Sequence, residues 1–195
     1  MSTSSDCQSY KILVFGGINT GKTALVIQFV QGYFLDDAEY SLEDYWRRTA
    51  FVDGRRVNFD IGDFRGYEGE DRFSSLLDVP FKKADGFILC YRINERGSFD
   101  ELEDIREFVL RRRNGSPFPM VLVGTWCDDE SARAVRKEEG EELAKSWCCP
   151  FFEASSKSNE NVEAVFFQIV REIQPTCNDN EKPDNETAKD KCNIM

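Results

Sequence analysis

Short apolar runs alternate along this chain with stretches of helical spacing. Residues 10–15 carry Ile12, Leu13, Val14 and Phe15 in succession, the pattern of a strand buried on both faces. Leu25, Gln28 and Phe29 then follow at helical spacing, and Gln31-Gly32 is a natural helix stop. Residues 33–44 are polar, acidic and without period, so a surface loop is expected there. A hairpin follows, with strands over 46–52 and 55–61 around Asp53-Gly54, a dipeptide suited to tight turns between strands. Residues 62–71 again look like loop, and a short helix is expected over 72–78, ahead of Pro80. A strand spans 85–93, with Phe87 to Tyr91 as its apolar centre. Ser98, with Glu101 three residues on, matches a capping box and predicts a helix running to Arg113 and stopping at Asn114-Gly115. Strands are expected at 119–124 and 151–153, an amphipathic helix over 132–147, and a last helix whose stripe is Val162, Val165, Phe166, Ile169, Val170 and Ile173.

Strands alternating with helices predict an α/β fold: a six-stranded, mostly parallel sheet with helices on both faces and one antiparallel edge strand from the hairpin. Ligands of such sheets bind beyond the carboxyl ends of the strands. Chemistry is therefore sought in the loops after Phe15, Ile61, Val123 and Phe152.

The first of these loops reads Gly16, Gly17, Ile18, Asn19, Thr20, Gly21, Lys22, Thr23, followed by Ala24. This is G-x-x-x-x-G-K-T between a strand and a helix N-terminus, the phosphate-binding loop. Its glycines let backbone N–H groups turn toward α- and β-phosphates. Lys22 reaches the β- and γ-phosphates, and the Thr23 hydroxyl can ligate Mg²⁺. After the strand ending at Ile61 comes Asp63-Phe64-Arg65-Gly66. Asp63 can hold Mg²⁺ opposite the loop, and the Gly66 N–H can approach a γ-phosphate. After Val123 comes Thr125-Trp126-Cys127-Asp128. A carboxylate at Asp128 accepts from adjacent N–H donors such as guanine offers; alone, it also fits an acid approaching a helix. Ala154-Ser155-Ser156-Lys157 is a small-residue loop able to wrap a base.

Composition narrows the picture. A net charge of −11 and a pI near 4.6 argue against a nucleic-acid partner, which wants a basic face. The chain has no histidine, which excludes histidine catalysis and histidine metal sites. Its seven cysteines lack framework spacing, so a reduced intracellular protein is expected. No apolar run approaches the roughly 20 residues of a membrane span. The Ser-rich residues 1–9 are expected to be a flexible extension. Residues 174–195 are nearly devoid of apolar content and are expected to be a disordered tail.

Taken together, these motifs resemble the Ras superfamily of small GTPases, closest to its Ras/Rap branch, over about residues 10–173. The resemblance implies a P-loop G domain that binds GTP and GDP with Mg²⁺ and acts as a signalling switch. It implies that Phe34 packs against the guanine. Ser41 would sense Mg²⁺ and the γ-phosphate in switch I, and Leu42, Glu43 and Asp44 would form the effector segment. Asp63 and Gly66 belong to switch II, Asp128 reads the guanine, and Ser155, Ser156 and Lys157 close the base loop. The implied partners are effectors, an exchange factor and a GTPase-activating protein. Cys192-Asn193-Ile194-Met195 fits a C-a-a-X prenylation signal, implying a lipid-anchored protein on the cytoplasmic face of a membrane, partly cytosolic. The tail after Gln174 has three lysines against five acids and so lacks a polybasic second signal.

Three departures bear on activity. Ile18 replaces the usual glycine beside the γ-phosphate and would crowd both the attacking water and an arginine finger. Tyr67 stands in place of the water-orienting glutamine. Thr125-Trp126 replaces Asn-Lys in the base loop; the Trp126 indole can stack on the base or cover apolar surface. Slow hydrolysis is expected. A second reading is a catalytically impaired pseudo-GTPase that titrates effectors or exchange factors. A third, an ATPase or nucleotide kinase, is disfavoured by Asp128 and the Ser155-Ser156-Lys157 loop.

Overall fold

The structure is a computed structural model that describes residues 8–34, 43–64 and 78–178. Its six strands are β1 (Gln8–Gly16), β2 (Glu43–Val52), β3 (Arg55–Phe64), β4 (Gly86–Arg92), β5 (Met120–Thr125) and β6 (Phe151–Ala154). The helices are α1 (Lys22–Gln31), α2 (Asp78–Lys83), α3 (Arg96–Asp100), α4 (Leu102–Arg112), α5 (Lys137–Ser146) and α6 (Val162–Asn178). The sheet order is β2-β3-β1-β4-β5-β6. Only β2 runs antiparallel, and it lies at the edge.

Alternation within the buried strands divides the core in two. Tyr10, Ile12 and Val14 of β1 point to a layer completed by Phe29 of α1 and by Phe166 and Ile169 of α6. Leu13 and Phe15 point to the opposite layer, with Phe81, Phe87, Phe108 and Val135. Phe29 stacks on Phe166 with ring centroids 3.9 Å apart, and Phe15 meets Phe81 edge-on at 5.2 Å. Each such fully buried side chain contributes on the order of 1.5–3 kcal/mol. These two layers hold the parallel strands so that the carboxyl ends of β3, β1, β4, β5 and β6 line one edge of the sheet, where the chemistry-bearing loops begin.

The hairpin turn takes the expected form. Asp53 and Gly54 have φ of 49° and 80°, the two positive values a type I′ turn requires. Helix α1 ends at Gly32, whose φ of 76° lets its N–H reach the Gln28 carbonyl.

Several expectations need correction. The expected extension over 1–9 overlaps β1, which already begins at Gln8. Pro80 lies inside α2 rather than beyond a helix; near a helix start its missing N–H costs nothing. The expected helix over 72–78 lies, but for Asp78, outside the described residues. Ser98 does not cap a helix start: it sits within α3, buried, with its Oγ accepting from the Arg92 N–H at 2.9 Å and lying 2.8 Å from the Glu95 carbonyl. The hydroxyl fastens α3 to the end of β4, and the expected single helix is two, α3 and α4.

The amphipathic stretch at 132–147 begins its helix only at Lys137. The N–H groups of Ala134 and Val135 donate to the Ile93 carbonyl, and Arg133 grips Glu130 and Glu153. Those tertiary bonds hold the approach extended. At the other end, α6 continues to Asn178, past the expected start of the tail at Gln174. Among the described residues no helix is long and apolar enough to cross a membrane.

Candidate nucleotide-binding site

The glycine loop leaves the carboxyl end of β1 between β3 and β4, since Val14 pairs with Asp63 and Gly16 with Cys90. A Cβ at Gly16 would lie 2.2 Å from the Cys90 carbonyl oxygen, so only glycine lets the loop turn there. Gly21 adopts φ 76° and delivers the chain into α1.

Lys22 is buried, 6 % exposed, and curls back over the loop. Its Nζ donates to the Gly17 carbonyl and, at 3.1 Å, to Thr20 Oγ1. Burial lowers its pKa, while Cys90 and the Asp63 carboxylate pull the other way. Asp63 is buried at the end of β3, beside this ammonium. Thr23, half-buried, follows at the second position of α1. A threonine hydroxyl and an aspartate carboxylate are hard oxygen donors and suit Mg²⁺. Among the described residues no group of three or more Cys, Asp or Glu side chains could hold a metal ion. Ile18 is 47 % exposed at the outer side of the loop, where no core packing explains it.

Beside the phosphate loop lies a slot lined by Gly21, Ala24, Phe34, Thr125, Trp126, Asp128, Ser156 and Lys157. These sequence-expected residues come from four separate stretches and converge here. Thr125, 3 % exposed, places its Oγ1 2.7 Å from the Thr20 carbonyl and 2.9 Å from the Tyr91 carbonyl. The hydroxyl thus retains a tie between base loop and phosphate loop. The slot holds about 20 Å³, room for one water. Ser155 is buried beneath it. Its backbone pairs in both directions with Glu160, and its Oγ accepts from the Ser158 N–H at 3.0 Å, fixing the loop that presents Ser156 and Lys157. A larger hollow of about 370 Å³ between α5 and β6 holds no phosphate-loop residue; the loop's chemistry, rather than volume, marks the site.

Two residues that motif reading missed touch this region. The Arg92 guanidinium lies over the Trp126 ring, 4.1 Å from its centroid. Asn94 accepts from Arg92 Nε and donates to Asp129 at 3.0 Å. Neither belongs to a recognisable motif, and only the parallel register that sets Arg92 beside Thr125 brings them together.

Ser41, Leu42, Gly66, Tyr67 and Cys192 lie outside the described residues. The backbones of Glu43 and Asp44 open β2, with Asp44 paired to Asp63.

A glycine loop joining a central parallel strand to a helix, with its lysine turned inward beside a strand-end aspartate, defines a P-loop nucleotide-binding domain. The chain belongs to the Ras family, whose family model matches residues 11–175. Members of that family bind GTP and GDP, typically with Mg²⁺, hydrolyse GTP, and engage regulators and effectors.

Proposed function

We propose that this protein is a guanine-nucleotide-dependent signalling switch of the Ras/Rap branch that hydrolyses GTP slowly. The observation that carries the reading is Ile18: an exposed β-branched side chain set in a loop whose phosphate-cradling residues are otherwise intact. Gly16, Gly17, Asn19, Thr20 and Gly21 shape the backbone cradle, and Lys22 supplies the charge for the β- and γ-phosphates. Thr23 and Asp63, with Ser41, hold Mg²⁺. That ion would supply positive charge to offset the negative charge of the β- and γ-phosphates. Ile18 occupies the space through which a water and an arginine finger approach the γ-phosphate. Tyr67 lacks the amide that would orient that water. In this family an arginine supplied in trans accelerates hydrolysis by roughly 10³–10⁵-fold. Losing that assistance leaves a long-lived GTP state.

In that state Leu42, Glu43 and Asp44, with switch II around Gly66, engage effectors. Cys192 carries the prenyl anchor at the cytoplasmic face of a membrane. One chain with an acidic tail gives reversible attachment.

The test is to isolate the protein from cells, identify the nucleotide that copurifies, and follow single-turnover hydrolysis of loaded GTP. Persisting GTP supports the slow switch, and brisk hydrolysis to GDP refutes it. Thr125-Trp126 in place of Asn-Lys in the base loop favours a second reading, a pseudo-GTPase that holds nucleotide weakly and titrates effectors or exchange factors. Protein that copurifies free of nucleotide would decide for it.

A further inference from the structure

We propose that Arg92 is a positioning residue for the nucleotide base, acting through Trp126. Together they form a fixed stacking platform that replaces the missing asparagine amide and lysine stem of the base loop. The inference rests on the guanine-nucleotide reading above and adds how this chain holds the base.

Trp126 stands at the strand-to-loop turn with φ 66°, a left-handed value uncommon for a bulky residue. That turn aims the indole back across the phosphate loop, with Nε1 3.1 Å from where a Gly21 Cβ would lie. A Cβ at Gly21 would press on the indole, and its left-handed φ of 76° favours glycine there as well. One ring face is covered by the Arg92 guanidinium. The ring also lines the slot shared with Phe34, Ala24 and Asp128.

Arg92 is itself held. Its Nε donates to Asn94, which donates in turn to Asp129, and the Asp129 N–H donates to the Trp126 carbonyl at 3.0 Å. The chain of bonds therefore closes on the residue it orients. With Arg92 behind it, the indole cannot retreat when a purine enters. The slot opens by movement of Phe34 instead, and the base lies between Phe34 and Trp126, with its edge toward Asp128. Stacking on an aromatic face is available to any base. Selectivity for guanine then rests on Asp128 and the Ser155-Ser156-Lys157 loop, without the asparagine amide, and adenine nucleotides are discriminated less sharply than a full base loop would allow.

A cation–π contact, from exposed to desolvated, corresponds to about two- to thirtyfold in an equilibrium or rate constant. The test uses the full chain with Trp46→Phe and Trp147→Phe, so that Trp126 alone emits; tryptophan emission differences against Trp126→Phe serve if that background fails to fold. GDP should quench Trp126 emission. Arg92→Ala should shift the nucleotide-free emission to the red and speed GDP dissociation about two- to thirtyfold, and Arg92→Lys should recover part of both. A merely structural Arg92 would lower the melting temperature and leave these readouts in place. GDP binding without any change in Trp126 emission, or Arg92→Ala with unaltered dissociation, overturns the platform alone. A wild-type chain that binds neither GDP nor GTP in equilibrium dialysis overturns the guanine-nucleotide reading itself, and the platform with it.

Discussion

Replacing Thr125 with valine isolates one hydroxyl that joins two loops. Valine keeps the shape of threonine, so no cavity forms and the β-branched fit at the end of β5 survives. What disappears is the Oγ1 donor, 2.7 Å from the Thr20 carbonyl and 2.9 Å from that of Tyr91. One hydroxyl hydrogen serves one of these oxygens at a time, so one hydrogen bond is lost. The site is 3 % exposed, and water does not readily replace it. Leaving a buried carbonyl unserved costs about 1–3 kcal/mol. In a domain of this size each kcal/mol shifts the melting temperature by about 2–4 °C. A fall of about 2–12 °C is therefore expected. Thermal unfolding by circular dichroism should be followed without nucleotide in EDTA and again in excess GDP, since bound ligand adds its own stabilisation. Because Thr20 belongs to the phosphate loop, GDP should also dissociate faster from the valine variant. Thr125→Ser, which keeps the hydroxyl, should preserve the nucleotide off-rate. A Thr125→Val protein that melts within 1 °C of wild type and releases GDP at the wild-type rate would refute the reasoning.

Other substitutions test other parts of the structure. Tyr91 is fully buried, and its hydroxyl has no hydrogen-bond partner among the described residues, so Tyr91→Phe should raise stability by about 1 kcal/mol in chemical denaturation. Gly140→Ala should destabilise strongly, because its Cβ would lie 2.6 Å from that hydroxyl and 2.5 Å from the Phe151 ring; the double variant with Tyr91→Phe should recover part of the loss. Contacts from Arg96 and the Arg136 backbone lower the Glu139 pKa from about 4.5 to about 2. This stabilisation is complete above pH 4.5 and fades as the pH falls toward 2, so Glu139→Gln should flatten the fall in melting temperature across that window. Restoring the family residues with Ile18→Gly and Tyr67→Gln should raise the single-turnover hydrolysis rate, the pair more than either change alone; an unchanged rate in the pair would remove Ile18 from the account.

How much of this was legible in the sequence differs from element to element. The runs at β1, β4 and β5 read directly as buried strands because parallel strands covered on both faces tolerate apolar residues at every position. Asp53-Gly54 read as a turn because few residues accept two consecutive positive φ values. Ser98 misled because the S-x-x-E pattern does not show which other groups compete for the hydroxyl, which bonds just upstream instead, at Arg92 and Glu95. The late start of α5 was hidden for the same reason, its approach being held extended by Ile93 and by the Arg133–Glu153 pair.

The sequence by itself determined the α/β alternation, the phosphate loop and the residues that line the base slot, since these depend on short-range periodicity and on spacing along one stretch of chain. The tertiary structure decided what those residues touch. Thr125 became a tie between loops because the sheet sets β5 beside β4 and brings the phosphate loop within hydrogen-bond reach. Trp126 acquired Arg92 because parallel register sets their strand ends together. Contacts between residues some thirty or a hundred positions apart leave no local signature, so only the fold can assign them.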